Sequence, residues 1–258
     1  MNIRRMLEAA QGALPSARRG VVVLAYHLVG AATNSPVDIS VDEFRRQMEL
    51  LHSECDVLSL DEALARGVET TVARRPKVVL TFDDAYLNFR RVAWPVLGGL
   101  GLTATLYVPL GFVNGTSGCP IRGTTLPACS WEDLKVLASE GVSVGSHTVS
   151  HVNLTRMRRD DVERELRKSR DELEQRLSLA VKSFCYPQGK WNDRVLRQVA
   201  LVYDNAVVGG GRRLVNEDQR HRIPRFPVRR DISSFESILS ARVWLGEAAA
   251  DIVRQRVA

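Results

Sequence analysis

The repeated alternation of short apolar runs with helix-like segments restricts the fold of this chain more than any other feature. The runs 21–26, 78–82 and 103–108 are largely apolar or β-branched, which is typical of strands covered on both faces. Amphipathic segments lie between or after them, such as 160–177, whose apolar residues recur at helical spacing. This order is typical of βα units, so we predict one α/β domain with a parallel sheet.

Two serines mark predicted helix starts. Ser40 precedes an apolar helical face and is followed three residues later by Glu43, which is the pattern of a capping box. Ser130 caps a second helix, which Gly141 ends. Further strands are predicted over 142–144, 183–186 and 205–208, and a loop rich in Gly, Thr, Ser and Pro over 114–128.

Length and composition are those of a globular domain. The 258 residues are 45% hydrophobic and 26% charged, which excludes disordered, collagen-like and coiled-coil chains. No apolar run reaches the ~20 residues of a membrane helix. Residues 1–19 are polar where a signal peptide needs its apolar region, so we expect a cytoplasmic location, with peripheral contact at the inner membrane left open. We expect one domain over 20–232 and helical extensions over 1–19 and 233–258.

The charge balance is basic, with 36 Lys and Arg against 30 Asp and Glu. Seven arginines fall within 212–230, offset there by Glu217 and Asp218. Two interpretations stay open: a solvated surface, or a surface that holds a phosphorylated or lipid-pyrophosphate substrate and contacts a membrane. Nucleic acid is not expected as a partner, because no aromatic residues or known motif accompany these charges.

Polar segments follow several predicted strands, and in parallel α/β folds these strand ends form the active site. Asp83 and Asp84 come directly after the run 78–82. Adjacent carboxylates repel each other, so a fold keeps them at low cost only when a cation or distinct hydrogen bonds separate their roles. The alternative is a helix-capping aspartate beside a solvated one.

Two histidines, His147 and His151, follow the predicted strand 142–144. At this spacing they would share one face of a helical turn, close enough to bind one metal ion, although two structural histidines are the alternative. Asp83 or Asp84 would complete a set of two histidines and one carboxylate with an open position for water. After the next strand, a Pro- and Gly-bracketed turn over 184–189 is either an ordinary turn or one that directs a backbone N–H into a pocket.

Taken together and in this order, these segments resemble the motifs of the polysaccharide deacetylases, the NodB-homology group of carbohydrate esterase family 4. The resembling segments are 81–84, 147–151 and 184–189, with 130–134 before the second motif and Ile223-Pro224-Arg225 as a late Leu-Pro-Arg signature. Tyr26-His27 resembles the early Tyr-His motif of poly-N-acetylglucosamine deacetylases. The resemblance spans residues 20–230 and implies a distorted parallel (β/α) barrel with its active site at the carboxyl ends of the strands.

The resemblance also implies roles for individual residues. Asp84, His147 and His151 would bind a divalent metal, commonly zinc, and Asp83 would be the general base. His27 would be the acid that protonates the departing amine, with a hydrogen-bonded core histidine as the alternative.

The third motif and the late segment Ile223-Pro224-Arg225 supply the remaining candidates. The backbone N–H of Gln188 would share the oxyanion with the metal, and Tyr186, Pro187 and Arg225 are the other candidates for oxyanion or substrate binding. Arg225 is a candidate for orienting Asp83.

Three positions depart from the family pattern. Ala85 stands where the first motif usually has glycine, which crowds a turn that needs a positive φ. Cys185 stands where many members carry an arginine in the third motif. The late aspartate and Leu-x-Leu-His motifs are missing after residue 190, so the acid role falls to His27 alone.

The expected function is metal-dependent removal of N-acetyl groups from amino sugars of a polysaccharide or a lipid-linked glycan precursor. A deformylase or amidase acting on a lipid-phosphate-linked amino sugar is one alternative. A glycan-binding module without catalysis is the other.

Overall fold

The computed structural model describes residues 20–65, 75–121, 124–211, 214, 217–230 and 235–239. Its strands are β1 Val21–Tyr26, β2 Leu28–Val29, β3 Asp38–Ile39, β4 Asp56–Leu58, β5 Lys77–Phe82, β6 Thr105–Val108, β7 Ser143–Ser146, β8 Ser183–Cys185, β9 Asn205–Gly209 and β10 Ile223–Pro227. Its helices are α1 Val41–Glu54, α2 Leu60–Ala65, α3 Trp94–Gly99, α4 Leu110–Val113, α5 Trp131–Ser139, α6 Arg159–Leu177, α7 Asp193–Ala200 and α8 Phe235–Leu239. A π-helical turn over Phe89–Ala93 precedes α3.

Seven parallel strands close into a barrel in the order β1-β5-β6-β7-β8-β9-β10. One edge of β5 pairs with the whole of β1, and its other edge pairs first with β4 and then with β6. The ring closes where β1 pairs with β10. Between β7 and β8 the ladder is a single pair, Ser146 with Phe184, which distorts the ring. The predicted single-domain, distorted (β/α) barrel is therefore confirmed.

Alternation along the strands separates two apolar layers. In β1, Val22 and Leu24 belong to the core shared with the surrounding helices, whereas Val21 and Val23 belong to a second cluster that fills the barrel. Side chains point to opposite faces with a period of two, so residues of odd number in β1 and β5 face the barrel axis. The same alternation, continued past the strand ends, directs His27 and Asp83 toward the barrel mouth.

Both predicted serine caps form, but only one capping box is complete. Ser130 accepts from the backbone N–H of Asp133 at 3.1 Å, and the Asp133 carboxylate accepts from the N–H of Ser130 at 2.9 Å. Ser40 accepts from the N–H of Glu43 at 3.2 Å, yet the Glu43 side chain bonds Arg46 and Gln47 instead of returning to residue 40. The predicted box at residues 40–43 is therefore only half formed.

Some predictions concern the ends of the chain. Residues 1–19 and 240–258 lie outside the described residues, so the helical extension 1–19 and most of 233–258 stay predictions. Within 233–258, α8 is helical. Among the described helices, none combines the length and the apolar character needed to cross a lipid bilayer.

Candidate active site

A buried ion pair between Asp83 and Arg225 lies at the centre of the barrel mouth. Arg225 Nη1 donates to Asp83 Oδ1 at 2.7 Å, and Nη2 donates to Oδ2 at 2.8 Å. The guanidinium also donates to Thr81 Oγ1 at 2.9 Å and to Cys185 Sγ at 3.1 Å. Burial by itself raises the pKa of Asp83, but Arg225 outweighs this and holds the pKa well below its ordinary value. Asp83 is therefore a carboxylate at neutral pH.

Side chains that fill the barrel interior pack against Arg225. The guanidinium carbon of Arg225 lies 5.7 Å from the ring centroid of Tyr107, and the Tyr107 hydroxyl lies 2.7 Å from Ser183 Oγ. Gly145 makes room for this ring, because a Cβ at residue 145 would come within 2.4 Å of it. The guanidinium therefore packs against a filled barrel, and its orientation toward Asp83 is fixed.

Asp84, His147 and His151 form a second cluster beside this pair. Asp84 Oδ1 lies 3.6 Å from His147 Nε2 and 3.4 Å from His151 Nε2. This buried oxygen has no hydrogen-bond partner among the described residues. Burial, followed by the negative charge of Asp83, raises the pKa of Asp84 well above its ordinary value. An isolated buried carboxylate is costly, and a cation at this position would remove that cost.

The two imidazoles present their ring nitrogens to Asp84. His147 Nδ1 lies 2.7 Å from the carbonyl oxygen of Cys185, so Nε2 is left for a metal ion, an arrangement common among metal-binding histidines. Burial, followed by the proximity of His151, lowers the pKa of His147 to about 3, so its ring is neutral and able to coordinate. One atom from each of the three side chains lies within 4.8 Å of the others. Two imidazole nitrogens and one carboxylate oxygen fit a divalent metal.

The loop that carries the histidines is not helical, so the prediction that they share a helical turn is wrong. His147 directly follows β7 and still donates its backbone N–H to the carbonyl of Val108 at 2.9 Å. The chain then turns back through Thr148 with φ 67° and His151 with φ 51°, and the N–H of His151 donates to Thr148 Oγ1 at 3.0 Å. This turn, rather than helical periodicity, brings the ring centroids within 4.7 Å.

His27 lies between Asp83 and solvent. Its Nε2 is 3.7 Å from Asp83 Oδ2, and its side chain is 24% exposed. Its Nδ1 is buried without a hydrogen-bond partner among the described residues, unlike the nitrogen of a core histidine held by a carbonyl. Burial lowers the pKa of His27, while the charge of Asp83 partly opposes this. The alternative of a hydrogen-bonded core histidine is thus not what the structure shows.

The third motif forms a tight turn at the end of β8. Gln188 has φ 59° and ψ 12° and is exposed, whereas Pro187 and Tyr186 are buried. The Tyr186 hydroxyl donates to the carbonyl of His221 at 3.0 Å. This side chain therefore stabilises the turn, and its hydroxyl is not directed at a substrate. The bond between His147 Nδ1 and the carbonyl of Cys185 ties this turn to the loop 147–151, which carries the two histidines.

The first motif bends sharply where the family usually has glycine. Asp84 has φ 74° and Ala85 has φ 49°, so two residues with Cβ atoms take left-handed conformations side by side. Such conformations are strained and occur often at functional sites. The expectation that Ala85 crowds a turn with positive φ matches this backbone.

The described arginines of 212–230, which are Arg220, Arg222, Arg225, Arg229 and Arg230, do not form one patch. Arg225 is buried against Asp83, and Arg230 donates to the carbonyls of Thr33 and Asp38. Arg222 lies 5.7 Å from the ring centroid of Trp191. Arg220 and Arg229 are exposed, while Arg212 and Arg213 lie outside the described residues.

Sequence reasoning missed three contributors to the site. Thr81 lies in the first motif, whose pattern predicts no role for it, yet its hydroxyl accepts a hydrogen bond from Arg225. Cys185 was noted only as a missing arginine, yet its sulfur accepts from the arginine that β10 supplies. Glu165, on α6, accepts a hydrogen bond from the histidine loop (residues 147–151), whereas the amphipathic pattern of 160–177 gives it no role in the site. Of the three, only Thr81 could be expected from the sequence, because it lies two residues before Asp83 and therefore points to the same, inward face.

Comparison with proteins of known structure supports this fold. The deacetylase PplD of Streptococcus pyogenes, solved in complex with acetate, superposes with a TM-score of 0.75 at 22% identity, covering 88% of this chain and 99% of that one. IcaB of Ammonifex degensii gives a TM-score of 0.70 at 25% identity, covering 86% of this chain and 96% of that one.

Sequence comparison gives the family. The inferred polysaccharide deacetylase YxkH of Bacillus subtilis strain 168 is 24% identical over 176 residues, which are 68% of this chain and 59% of YxkH. This chain thus matches less than two thirds of that relative's length. The profile of the polysaccharide deacetylase family matches residues 71–204, which hold the first motif, the histidine loop and the third motif. The chain therefore belongs to the polysaccharide deacetylase family.

Proposed function

We propose that this protein is a metal-dependent hydrolase that removes N-acetyl groups from amino sugars of a glycan. The observation that carries the proposal is the placement of the Asp84–His147–His151 cluster directly beside the buried pair of Asp83 and Arg225. One cluster has the donors for a metal ion, and the other holds an ionised carboxylate next to it. We propose zinc as the metal, since two imidazoles and one carboxylate with an open position are typical of catalytic zinc sites.

The residues of the chain divide the reaction between them. When bound by Asp84, His147 and His151, a divalent metal polarises the acetyl carbonyl and lowers the pKa of water. Asp83, kept ionised by Arg225, accepts the proton that the attacking water loses. His27, beside Asp83 and open to solvent, donates a proton to the departing amine.

The oxyanion of the tetrahedral intermediate needs a donor from the protein as well. We assign this to the backbone N–H of Gln188, which stands at the exposed tip of the third-motif turn. Buried Pro187 and the hydrogen-bonded hydroxyl of Tyr186 hold the turn in place. One such donor is typically worth about 3 kcal/mol to the transition state.

A groove on the same face supports a carbohydrate chain as substrate. It has a volume of about 670 Å³ and lies between residues 32–36, which follow β2, and the loop segment around Ile121 and 124–126. The Tyr86 hydroxyl, two residues beyond Asp84, accepts from the backbone N–H of Ile121 at 2.9 Å and so ties this loop to the first motif. Hydroxyl and amide side chains of Thr33, Asn34, Ser35, Thr124 and Thr125, which suit sugar hydroxyls, line part of the groove. Ala32, Pro36, Ile121 and Leu126 line the rest.

Acyl release from defined substrates tests the proposal. We expect zinc-loaded protein to release acetate from N-acetylglucosamine oligomers and to leave one free amine per acetate. Formate release from N-formyl analogues at a higher kcat/KM than acetate release would favour the deformylase alternative. Stoichiometric zinc and oligomer binding with no acyl release from any acylated amino sugar would contradict the proposal and favour a binding module.

A second substrate class is favoured by Arg229, which makes no hydrogen bond or ion pair to another described residue. The backbone N–H of Val228 donates to the carbonyl of Ala25 at 2.9 Å, which brings this segment beside the end of β1. Burial lowers the pKa of His27 most, and the positive charges of Arg225 and Arg229 are close enough to lower it further. An exposed cation next to the proposed acid suits a substrate with a phosphate near its N-acetyl group, as in a lipid-linked sugar.

Replacement of Arg229 tests this substrate class. We expect Arg229→Ala to lower kcat/KM for N-acetylglucosamine 1-phosphate at least tenfold, because a hydrogen bond to a charged group is worth about 1.5–3 kcal/mol. The kcat/KM for a neutral oligomer should not change, and Arg220→Ala, another exposed arginine, should affect neither substrate. Equal losses on both substrates would mean that Arg229 does not recognise phosphate.

A further inference from the structure

Glu165, in the middle of α6, reaches the loop that carries the two histidines. Its Oε2 accepts from the backbone N–H groups of Val149 and Ser150 at 2.8 and 2.9 Å, and its Oε1 accepts from Ser150 Oγ at 2.6 Å. All three donors lie between His147 and His151. A single carboxylate thus holds the part of the chain that connects the two imidazoles.

The other side of the same loop is held by α4. The backbone N–H of Leu110 donates to the carbonyl of Thr148 at 3.0 Å, and that of Gly111 donates to the carbonyl of Val149 at 2.8 Å. Gly111 permits this approach, because a Cβ there would lie 2.8 Å from the Val149 carbonyl oxygen. The peptide groups of the loop are therefore fixed on both their donor and their acceptor sides.

Glu165 differs from the other acidic residues of its helix. Glu163, Glu172 and Glu174 each pair with an arginine on α6 itself, as in an ordinary solvated helix face. Glu165 makes no ion pair within the described part of the chain, and all of its recorded hydrogen bonds go to the histidine loop. Helix stabilisation therefore does not explain its contacts.

We propose that Glu165 is a positioning residue for the metal site, and that it preforms the ligand set by holding the 147–151 loop in its left-handed turn. This inference rests on the proposed function, because it takes Asp84, His147 and His151 as metal ligands. The loop needs external support, since Thr148 and His151 both have positive φ and no helix or strand includes them. Without the carboxylate, two backbone donors and one hydroxyl would lose their acceptor and the loop would relax toward solvent.

The test compares zinc affinities of folded variants. Residues that orient metal ligands typically contribute 10–100-fold to metal affinity. We therefore expect Glu165→Ala to raise the zinc Kd 10–100-fold, as measured by competition with a chromophoric chelator. Glu165→Gln, which keeps the size and one acceptor oxygen, should raise it less, and Glu163→Gln, on the same helix, should not change it.

Two further readouts separate positioning from general stability. Saturating zinc should restore the activity of Glu165→Ala, and the amide protons of Val149 and Ser150 should exchange faster with solvent. If Glu165→Ala does not fold, the comparison of Glu165→Gln with Glu163→Gln decides by the same zinc Kd values.

The outcomes distinguish this inference from the proposed function. A wild-type zinc Kd retained in the folded Glu165 variants would overturn the positioning role and leave the metal site intact. A wild-type protein that binds no divalent metal would overturn both. Loss of zinc affinity in Glu165→Ala together with acetate release by the wild type supports both.

Discussion

Asp83→Asn is expected to lower kcat about 10²–10⁴-fold while the protein still binds zinc, since a general base contributes this much. The amide of asparagine cannot accept the proton that water loses, whereas Asp84, His147 and His151 are unchanged. Steady-state acetate release and zinc titration of the same preparation measure the two properties separately.

The ion pair between Asp83 and Arg225 means that Asp83→Asn should also lower the stability of the fold. Asp83→Asn leaves the guanidinium of Arg225 buried without its carboxylate, and breaking a buried pair from one side typically costs about 3–5 kcal/mol of stability. The double variant Asp83→Asn/Arg225→Gln removes both charges. We expect it to recover most of the lost thermal stability and none of the lost activity.

This comparison separates catalysis from folding. An inactive, stable double variant that binds zinc shows that Asp83 acts in the reaction. If Asp83→Asn retains wild-type kcat, Asp83 is not the base. If the double variant regains activity together with stability, the loss in the single variant came from the unpaired guanidinium.

His147→Ala is expected to weaken zinc binding more than 100-fold, which exceeds the 10–100-fold typical of residues that only orient ligands. The reason is that one of the three proposed ligands is lost, and two of the donors remain. Activity at limiting zinc should fall with the affinity. Equilibrium dialysis with metal analysis measures the bound zinc, and a chelator should inactivate the wild type, with recovery when zinc is returned.

A histidine on the protein surface provides the control. His52→Ala removes an exposed imidazole from α1 and should leave zinc content and turnover unchanged. Tight, stoichiometric zinc binding by His147→Ala would show that the ion lies elsewhere. The assignment of Asp84 and His151 as ligands would then fail as well.

Much of the barrel follows from hydrophobic pattern alone. The continuous runs at β1 and β5 predict buried parallel strands, and the βα order predicts a shared carboxyl edge. Since Asp83 and His147 each come directly after a strand, their convergence could be expected before any coordinates. Alternation, applied to the strand ends, would also have predicted that Asp83 faces the barrel axis.

Other parts of the site depend on tertiary contacts that no local pattern encodes. The spacing of His147 and His151 suits a helical turn, whereas tertiary bonds to Glu165 and α4, together with the bond from His151 N–H to Thr148 Oγ1, hold the left-handed loop instead. The pairing of Arg225 with Asp83 joins residues 142 positions apart in the chain. It depends on β10 closing the ring next to β1, which the spacing of short strands does not predict.

The one-pair ladder between β7 and β8 has a consequence for how this barrel is held together. His147 stands immediately past that junction and joins β7 to β8 through the Cys185 carbonyl, so one imidazole links two strands of the barrel while its other nitrogen faces the proposed metal site. The same imidazole therefore has a structural role in the barrel and a proposed role in binding the metal. A metal ion held by His147, as proposed, would therefore also strengthen the contact between these two strands.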